Sequence, residues 1–404
     1  MKQKRCLTLL LGCLLLSLAG ACTSASELPE LTPKPWASPT ATLSQDLLAT
    51  DIARQATPTP EPSQTPWRYA TLTPSSKSAN TLGGVYSPLT GLNQNRPDGK
   101  GQRPILVKMA NWPEALRPQA GLNAADIVFE YYIGAQMSHF AALYYGTAPE
   151  AAAPLAPARA PDTRLAIHYG ADLTYQSARP NILKLISDSL PGRNFMANTL
   201  PCPAICAEPN TKGGNIAVNL PALRNYISSL ERKEAAHALE GLSFSRSPGK
   251  ENGHALRLSY LYADYSVMDW RYAKETGKYQ LWQDLLYAPG KYRLSQSFDR
   301  DSGMPIAFDN ILILYTHYIS YGQDGYDIDM RESDPEQQAL LLRDGKIYYG
   351  KWLVSAPDQP IQFKGPNGLD IPLKPGRSWI SFASINTISK QVQPGVWELS
   401  FSFN

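Results

Sequence analysis

The stretch Ile127-Val-Phe-Glu-Tyr-Tyr-Ile133, followed after a glycine by Phe140-Ala-Ala-Leu-Tyr-Tyr145, predicts two strands of one hairpin at the heart of the fold. Because side chains alternate along a strand, Glu130 shares a face with Val128 and Tyr132, whereas the opposite face is apolar. A strand that is apolar on both faces is expected in the interior of a sheet. Glu130 is therefore predicted to be partly buried, where a carboxylate needs a cation or several donors.

A set of polar residues around this carboxylate forms the best candidate site. Arg117 and Arg159 carry guanidinium groups that can bind a carboxylate through two parallel hydrogen bonds. Gln119 and Asp126 complete the set. Two interpretations stay open: a buried ion pair that fixes the loop 111–122 onto the sheet, or a pocket for an anionic or hydroxyl-rich ligand.

His168, in the predicted strand Leu165–Tyr169, is interpreted either as a hydrogen-bonded structural residue or as a general base. A base needs a nucleophile within reach, and the sequence places none. The spacings of His139, His168 and Glu130 match no metal signature. The chain also contains no phosphate-binding loop, nucleophile elbow, zinc-protease motif or dinucleotide fingerprint. The sequence therefore predicts no metal, no cofactor and no catalytic residue.

Residues 84–240 are predicted to form a layered α/β domain. The apolar run Ile105–Ala110 predicts a further strand that accompanies the hairpin. Two helices with proline at the start and glycine beyond the end follow these strands. The first begins at Pro180 and stops before Gly192, and the second runs from Pro221 to Gly241.

Residues 241–404 are predicted to form a β-rich domain, so the fold class is α+β. Apolar and polar residues alternate here, turns such as Pro366-Asn-Gly368 separate the strands, and Val396–Phe401 predicts the last strand. Aromatic residues are frequent and are interpreted either as filling a β core or as stacking on sugar rings. The four tryptophans concerned are Trp270, Trp282, Trp352 and Trp379.

The first 22 residues have the layout of a bacterial lipoprotein signal. A basic start precedes the apolar run Leu7–Leu18, and Leu18-Ala-Gly-Ala-Cys22 supplies small residues before a cysteine. Residues 1–21 are predicted to be removed and Cys22 to carry the lipid. Residues 22–83 are rich in Pro, Ser and Thr and are predicted to form a disordered tether. The protein is therefore expected at the extracytoplasmic face of the cell membrane, with the membrane as its first partner.

The charge balance of the chain argues against nucleic acid as a partner. The 38 basic and 35 acidic residues give a net charge of +3, and three of the basic residues lie in the signal. Domains that bind nucleic acid usually carry an excess of positive charge, and a nearly neutral mature chain has no such excess.

Of the five cysteines, Cys202 and Cys206 follow the tether. They are predicted to form a local disulfide in an oxidising compartment, with a redox-active pair as the alternative.

Several short motifs together resemble the YerB-like bacterial lipoproteins, a family with an N-terminal and a C-terminal domain of unknown function. In the first half the motifs are Ser87–Gly91, Arg103–Asn111, Leu116–Leu122 and Ala125–Glu130. In the second half they are Asp309–Leu314, Asp344–Lys346, Trp352, Asn367–Gly368 and Pro375–Ile380. The resemblance implies two domains and an envelope location, and it implies no activity.

Two departures from the family pattern bear on chemistry. An arginine that family members carry is replaced here by Ala156, whereas Arg159 is kept. A Pro-His-Asn element of the family appears here as Gly213-Gly-Asn215, without the histidine. If those two family residues perform chemistry, this chain lacks it.

The sequence therefore predicts a lipid-anchored, non-catalytic envelope protein that binds another envelope protein or a wall-type glycan. The alternative is a cell-envelope hydrolase or transferase built on Asp126, Glu130, Arg159 and His168. Geometry separates the two interpretations, because an enzyme needs these side chains to converge on one solvent-reachable cleft.

Overall fold

The computed structural model describes residues 86–93, 102–208, 215–232, 237–288, 290–330 and 337–403. The predicted signal, the lipidated Cys22 and the tether lie outside the described residues. In chain order the strands are β1 (Ile105–Met109), β2 (Ile127–Gly134), β3 (Met137–Tyr144), β4 (Asp172–Tyr175), β5 (Asn194–Met196), β6 (Ile205–Ala207), β7 (Ile216–Val218), β8 (Gly253–His254), β9 (Arg257–Ala263), β10 (Ser266–Ala273), β11 (Lys278–Ala288), β12 (Lys291–Gln296), β13 (Ala307–Phe308), β14 (Asn310–Thr316), β15 (Tyr318–Ser320), β16 (Tyr326–Ile328), β17 (Gln338–Arg343), β18 (Lys346–Leu353), β19 (Gln362–Lys364), β20 (Ser378–Ser384), β21 (Ile388–Gln393) and β22 (Val396–Ser400).

The larger sheet contains the predicted hairpin near its centre. Its order over the described residues is β19-β18-β17-β14-β20-β2-β3-β1-β4-β5, with β8 beside β18. β2 and β3 pair antiparallel with Phe129 opposite Ala141, which confirms the predicted hairpin. β2 also pairs parallel with β20, where Val128 lies opposite Trp379. Segments on both sides of the predicted boundary at residue 240 therefore contribute to one sheet.

A second sheet packs on one face of the first. Its order over the described residues is β12-β11-β10-β9-β22-β21, with β13 beside β11. The two sheets share a core in which the ring centroids of Trp270 and Trp379 lie 5.0 Å apart. Trp270, Trp379 and Trp352 are at most 1% exposed, so these three tryptophans fill the core and the sugar-stacking interpretation is wrong for them. Trp282 is half-buried beneath the guanidinium of Arg271.

Three α-helices lie within the described residues: α1 (Ala160–His168), α2 (Pro180–Ser189) and α3 (Leu220–Ser229). α1 and α2 pack on the other face of the larger sheet. α2 and α3 confirm the two predicted helices, although α3 ends well before Gly241. Because strands far outnumber helices, the fold is β-rich, and the predicted layered α/β character of the first half is corrected to that extent.

α1 corrects the predicted strand Leu165–Tyr169. The helix forms because Asp162 Oδ2 accepts the backbone N–H of Arg159 at 2.7 Å in a capping box, while Pro161 fits the first turn. Among the described residues, no helix has both the length and the apolar character needed to cross a bilayer.

The strand directions bring several carboxyl ends to one edge of the larger sheet. β1, β2, β4, β5, β14 and β20 all run the same way, since β1 and β2 are each antiparallel to β3 and the others pair parallel. Ligands of open sheets commonly bind at this kind of edge. We call it the carboxyl edge.

Candidate functional site

Glu130 lies at the carboxyl edge and faces the second sheet. Its side chain is 0% exposed and accepts hydrogen bonds from Ser138 Oγ at 2.8 Å, Trp379 Nε1 at 2.9 Å and Ser381 Oγ at 2.8 Å. Burial raises the pKa of the Glu130 carboxyl, and these donors only partly oppose that effect. The predicted arginine fork is not formed, because neutral donors satisfy the carboxyl instead.

Arg117 turns away from Glu130 and crosses to the second sheet. Its Nε donates to the carbonyl of Asn111 at 3.0 Å, and its Nη1 donates to the carbonyl of Asp284 at 2.8 Å. The carboxylate Oδ2 of Asp284 lies 3.5 Å from the same Nη1. Gln119, 1% exposed, donates to the carbonyl of Ala110 at 3.1 Å. Burial lowers the pKa of Arg117 and raises that of Asp284, so desolvation outweighs their mutual attraction.

Arg117 and Gln119 line a cleft of about 280 Å³ that also involves the second sheet. We call it the Arg117 cleft. Its lining residues are Glu114, Arg117, Pro118, Gln119, Gln283, Asp284, Leu285, Ser295, Gln296, Ser297 and Phe298. The accessible lining is mainly apolar, with Leu285 38% and Phe298 44% exposed, and three amide and two hydroxyl side chains add hydrogen-bonding groups. The cleft therefore combines hydrogen-bonding groups with an accessible aromatic ring.

Asp126 and His168 do not join this cleft. Asp126 Oδ2 accepts the backbone N–H groups of Tyr145 at 2.7 Å and Gly146 at 3.0 Å, which fixes the chain after β3. His168 ends α1, roughly 13 Å along the helix from Arg159 at its start. It is 3% exposed, and burial lowers its pKa to about 4. Asp126, Glu130, Arg159 and His168 thus do not converge on one cleft.

The opposite face of the carboxyl edge carries a buried cluster that the sequence analysis missed. Lys108 Nζ donates to the hydroxyl of Tyr131 at 2.5 Å, and that hydroxyl donates to Asp162 Oδ1 at 2.6 Å. His139 lies opposite Tyr131 on β3, and Arg159 precedes α1. We call these five residues the Lys108 cluster. A lysine within the apolar strand Ile-Leu-Val-Lys-Met is the signal that could have revealed it, because a buried lysine requires partners.

Burial controls the protonation of the Lys108 cluster. It lowers the pKa of Lys108 to about 8, and Asp162 opposes this only in part. It raises the pKa of Asp162 despite the nearby Lys108. The pKa of His139 is held well below its ordinary value by burial and by the positive charges of Lys108 and Arg159. His139 is therefore neutral at physiological pH.

Neither the Arg117 cleft nor the Lys108 cluster contains a cysteine. Cys202 and Cys206 are joined by a disulfide. Across the described ranges, no three His, Cys, Asp or Glu side chains are grouped so that they could hold a metal ion.

The chain is similar to two domain models of one family, to a bacterial relative and to a solved structure. Residues 89–201 match the family model described as the N-terminal domain, and residues 256–380 the C-terminal domain, of "Protein of unknown function (DUF3048)". The "Putative lipoprotein YerB" of Bacillus subtilis (strain 168) is 24% identical over 309 residues, which cover 74% of this chain and 86% of that protein. The crystal structure of YerB protein from Bacillus subtilis matches with a TM-score of 0.60 at 23% identity, covering 74% of this chain and 96% of that one.

Proposed function

Since the chain belongs to the YerB-like lipoprotein family with its two DUF3048 domains, we propose that it is a lipid-anchored extracytoplasmic protein that binds a wall-type glycan. In this proposal, residues 1–21 are the signal peptide, Cys22 carries the lipid, and residues 22–83 hold the folded part away from the membrane. Two observations support the anchor: the small residues that precede Cys22, and the similarity to a protein named as a putative lipoprotein.

The Arg117 cleft is the observation that carries the glycan proposal. Sugars present many hydroxyl groups and weakly polar ring faces, so their sites need amide and hydroxyl partners together with an accessible apolar surface. The side-chain oxygens of Ser295, Gln296 and Ser297 offer the first as acceptors, while Gln296 Nε2 donates to Gln280 Oε1 at 2.9 Å and Ser297 Oγ donates to Gln283 Oε1 at 3.0 Å. The ring of Phe298 offers the second. Arg117 holds the cleft wall in place, because it donates to the carbonyls of Asn111 at 3.0 Å and Asp284 at 2.8 Å.

The binding function is better supported than the enzymatic alternative. A hydrolase or transferase built on Asp126, Glu130, Arg159 and His168 needs those groups within reach of one substrate. Glu130 is sealed between the sheets, and Asp126 accepts backbone N–H groups. His168 lies at the far end of α1 from Arg159. The four groups therefore offer no shared reaction centre.

Calorimetric titration of the detergent-purified full chain with soluble, uncrosslinked peptidoglycan glycan strands tests this function. Phe298→Ala should weaken binding about tenfold, equivalent to about 1.4 kcal/mol, because it removes the accessible ring of the cleft. Leu369→Ala is the matched control, since Leu369 is 68% exposed and does not line the cleft. Absence of binding by the wild-type chain, or equal affinities of the two variants, would contradict the proposal.

A further inference from the structure

We propose that the Lys108 cluster binds a small oxyanion, a carboxylate or phosphate group, held by Lys108, His139 and Arg159. This site lies on the helix-covered face of the larger sheet, whereas the Arg117 cleft lies beside the second sheet. The inference is therefore independent of the glycan function, and either can fail without the other.

Charge is unbalanced within the cluster. Lys108 and Arg159 are two cationic side chains that face the single carboxylate of Asp162. That carboxylate is already engaged, since it accepts hydrogen bonds from the hydroxyl of Tyr131 and the backbone N–H of Arg159. Its Oδ1 lies 3.6 Å from Lys108 Nζ, beyond hydrogen-bonding distance. An additional negative group would complete the neutralisation, which buried charges require.

Several donors of the cluster lack acceptors. Lys108 donates one hydrogen bond, to Tyr131, although an ammonium group has three N–H groups. Arg159 uses Nη1 on the carbonyl of Asp324 at 3.1 Å, whereas its buried Nε has no hydrogen-bond partner among the described residues. Unpaired buried donors are costly, so a site that leaves them open is suited to a ligand that accepts from them.

His139 supplies a third, conditional donor. Its Nε2 lies 3.2 Å from the carbonyl of Trp112 and donates to it, whereas Nδ1 is buried and meets no partner within the part of the chain that the structure describes. The residue is 7% exposed. Burial keeps its imidazole neutral by lowering its pKa, and repulsion from Lys108 and Arg159 acts in the same direction. A bound anion would offset that repulsion, so His139 would take up a proton and donate from Nδ1.

The surroundings favour an anion and leave a route to solvent. The cluster lies at the start of the nine-residue helix α1, whose N-terminal end carries partial positive charge. Arg159 is half-buried, while Lys108 is fully buried, so the site meets solvent on the Arg159 side.

Histidine NMR on the detergent-purified full chain tests the proposal. The chain contains five histidines, and comparison with His139→Gln identifies the NMR signal that belongs to His139. Inorganic phosphate and acetate are titrated separately. We expect a saturable shift of the His139 signal and a rise in its pKa with at least one ion. Tighter binding of phosphate identifies a phosphoryl ligand, and tighter binding of acetate identifies a carboxylate ligand.

Two substitutions show where the ion binds. Arg159→Gln should weaken binding about tenfold or more, as expected for the loss of a hydrogen bond to a charged group. Lys184→Gln, which removes an exposed cation of α2 paired with Asp188, should leave affinity unchanged. The proposal is overturned if neither ion produces a saturable His139 shift in the wild-type chain, a result that needs no variant to fold. Equal weakening by both substitutions would also overturn it.

Discussion

Lys108 shows how one buried side chain makes stability depend on pH. Its pKa is about 8 in the folded chain and 10.5 in its ordinary state, because burial disfavours the ammonium form. Between these values the unfolded chain binds more protons than the folded chain. The contribution of Lys108 to stability must therefore rise with pH across that interval.

We expect the free energy of unfolding of the wild-type chain to gain about 2 kcal/mol relative to Lys108→Met between pH 8 and pH 10, since one unit of pKa corresponds to about 1.4 kcal/mol. Urea unfolding of both proteins at the two pH values measures this difference. Other titrating groups are common to both chains and cancel. Equal changes in the two chains would show that the lysine titrates as an ordinary surface group.

Glu130 marks the limit of sequence interpretation at the residue scale. Its burial could be predicted, because the apolar residues of its strand indicate an interior position. Its partners could not, since Trp379 and Ser381 lie about 250 residues further along the chain. The Lys108 cluster escapes sequence interpretation for a related reason: its carboxylate, Asp162, comes from α1, whose second half has the pattern of a strand.

At the scale of elements, the hairpin β15–β16 is attached to α1 by a partly buried ion pair. Arg164 Nε and Nη2 lie 3.2 and 3.0 Å from Asp327 Oδ2, and the two side chains are 24% and 7% exposed. Arg179 makes a looser contact with Asp324 at 3.8 Å and is 54% exposed. The first pair should therefore stabilise the hairpin more than the second, because exposed ion pairs contribute little.

Arg164→Met should speed amide hydrogen exchange in residues 318–328 and lower the free energy of unfolding by about 1–2 kcal/mol, because Asp327 loses a charged partner while remaining buried. Arg179→Met, the matched control, should change the free energy by less than about 0.5 kcal/mol. Hydrogen exchange followed by mass spectrometry measures the local effect. Equal protection in both variants would mean that packing alone holds the hairpin.

Element boundaries were predictable where end signals are strong. α2 begins at Pro180 as predicted, and the β2–β3 hairpin follows from its alternating pattern. α1 was missed because Leu165 and Ile167 alternate as in a strand, whereas the capping interaction between Arg159 and Asp162 favours a helix. A short apolar segment does not distinguish these periods by itself.

For the whole molecule, the decisive prediction concerns the anchor. Cys22→Ser should move the protein from the membrane fraction to the soluble extracytoplasmic fraction, because the thiol that accepts the lipid is lost. Cys13→Ser, within the apolar run, should leave the protein membrane-bound. Cell fractionation followed by immunoblotting measures both. Retention of the Cys22→Ser chain in the membrane fraction would exclude the cysteine as the anchor.

The family could be predicted from motifs, and the β-rich character of residues 241–404 could be predicted from their alternating pattern, whereas the first half was predicted to be more helical than it is. It could not be predicted that both halves of the chain contribute strands to one sheet. Pairing of β2 with β20 joins residues near 129 to residues near 380, and no local pattern encodes a partner at that distance. The aromatic residues show the same limit, because Trp270 and Trp379 meet in the core although their sequence context equally permits exposure.

The pairing of β2 with β20 also determines when the centre of the larger sheet can form during synthesis of the chain. During synthesis from the N-terminus, β2 emerges long before Ser378–Ser384, so the centre of the larger sheet stays open until β20 has been made. Contacts between segments so distant in sequence form slowly. Until β20 is available, the first half exposes an unpaired edge of β2 that invites mispairing.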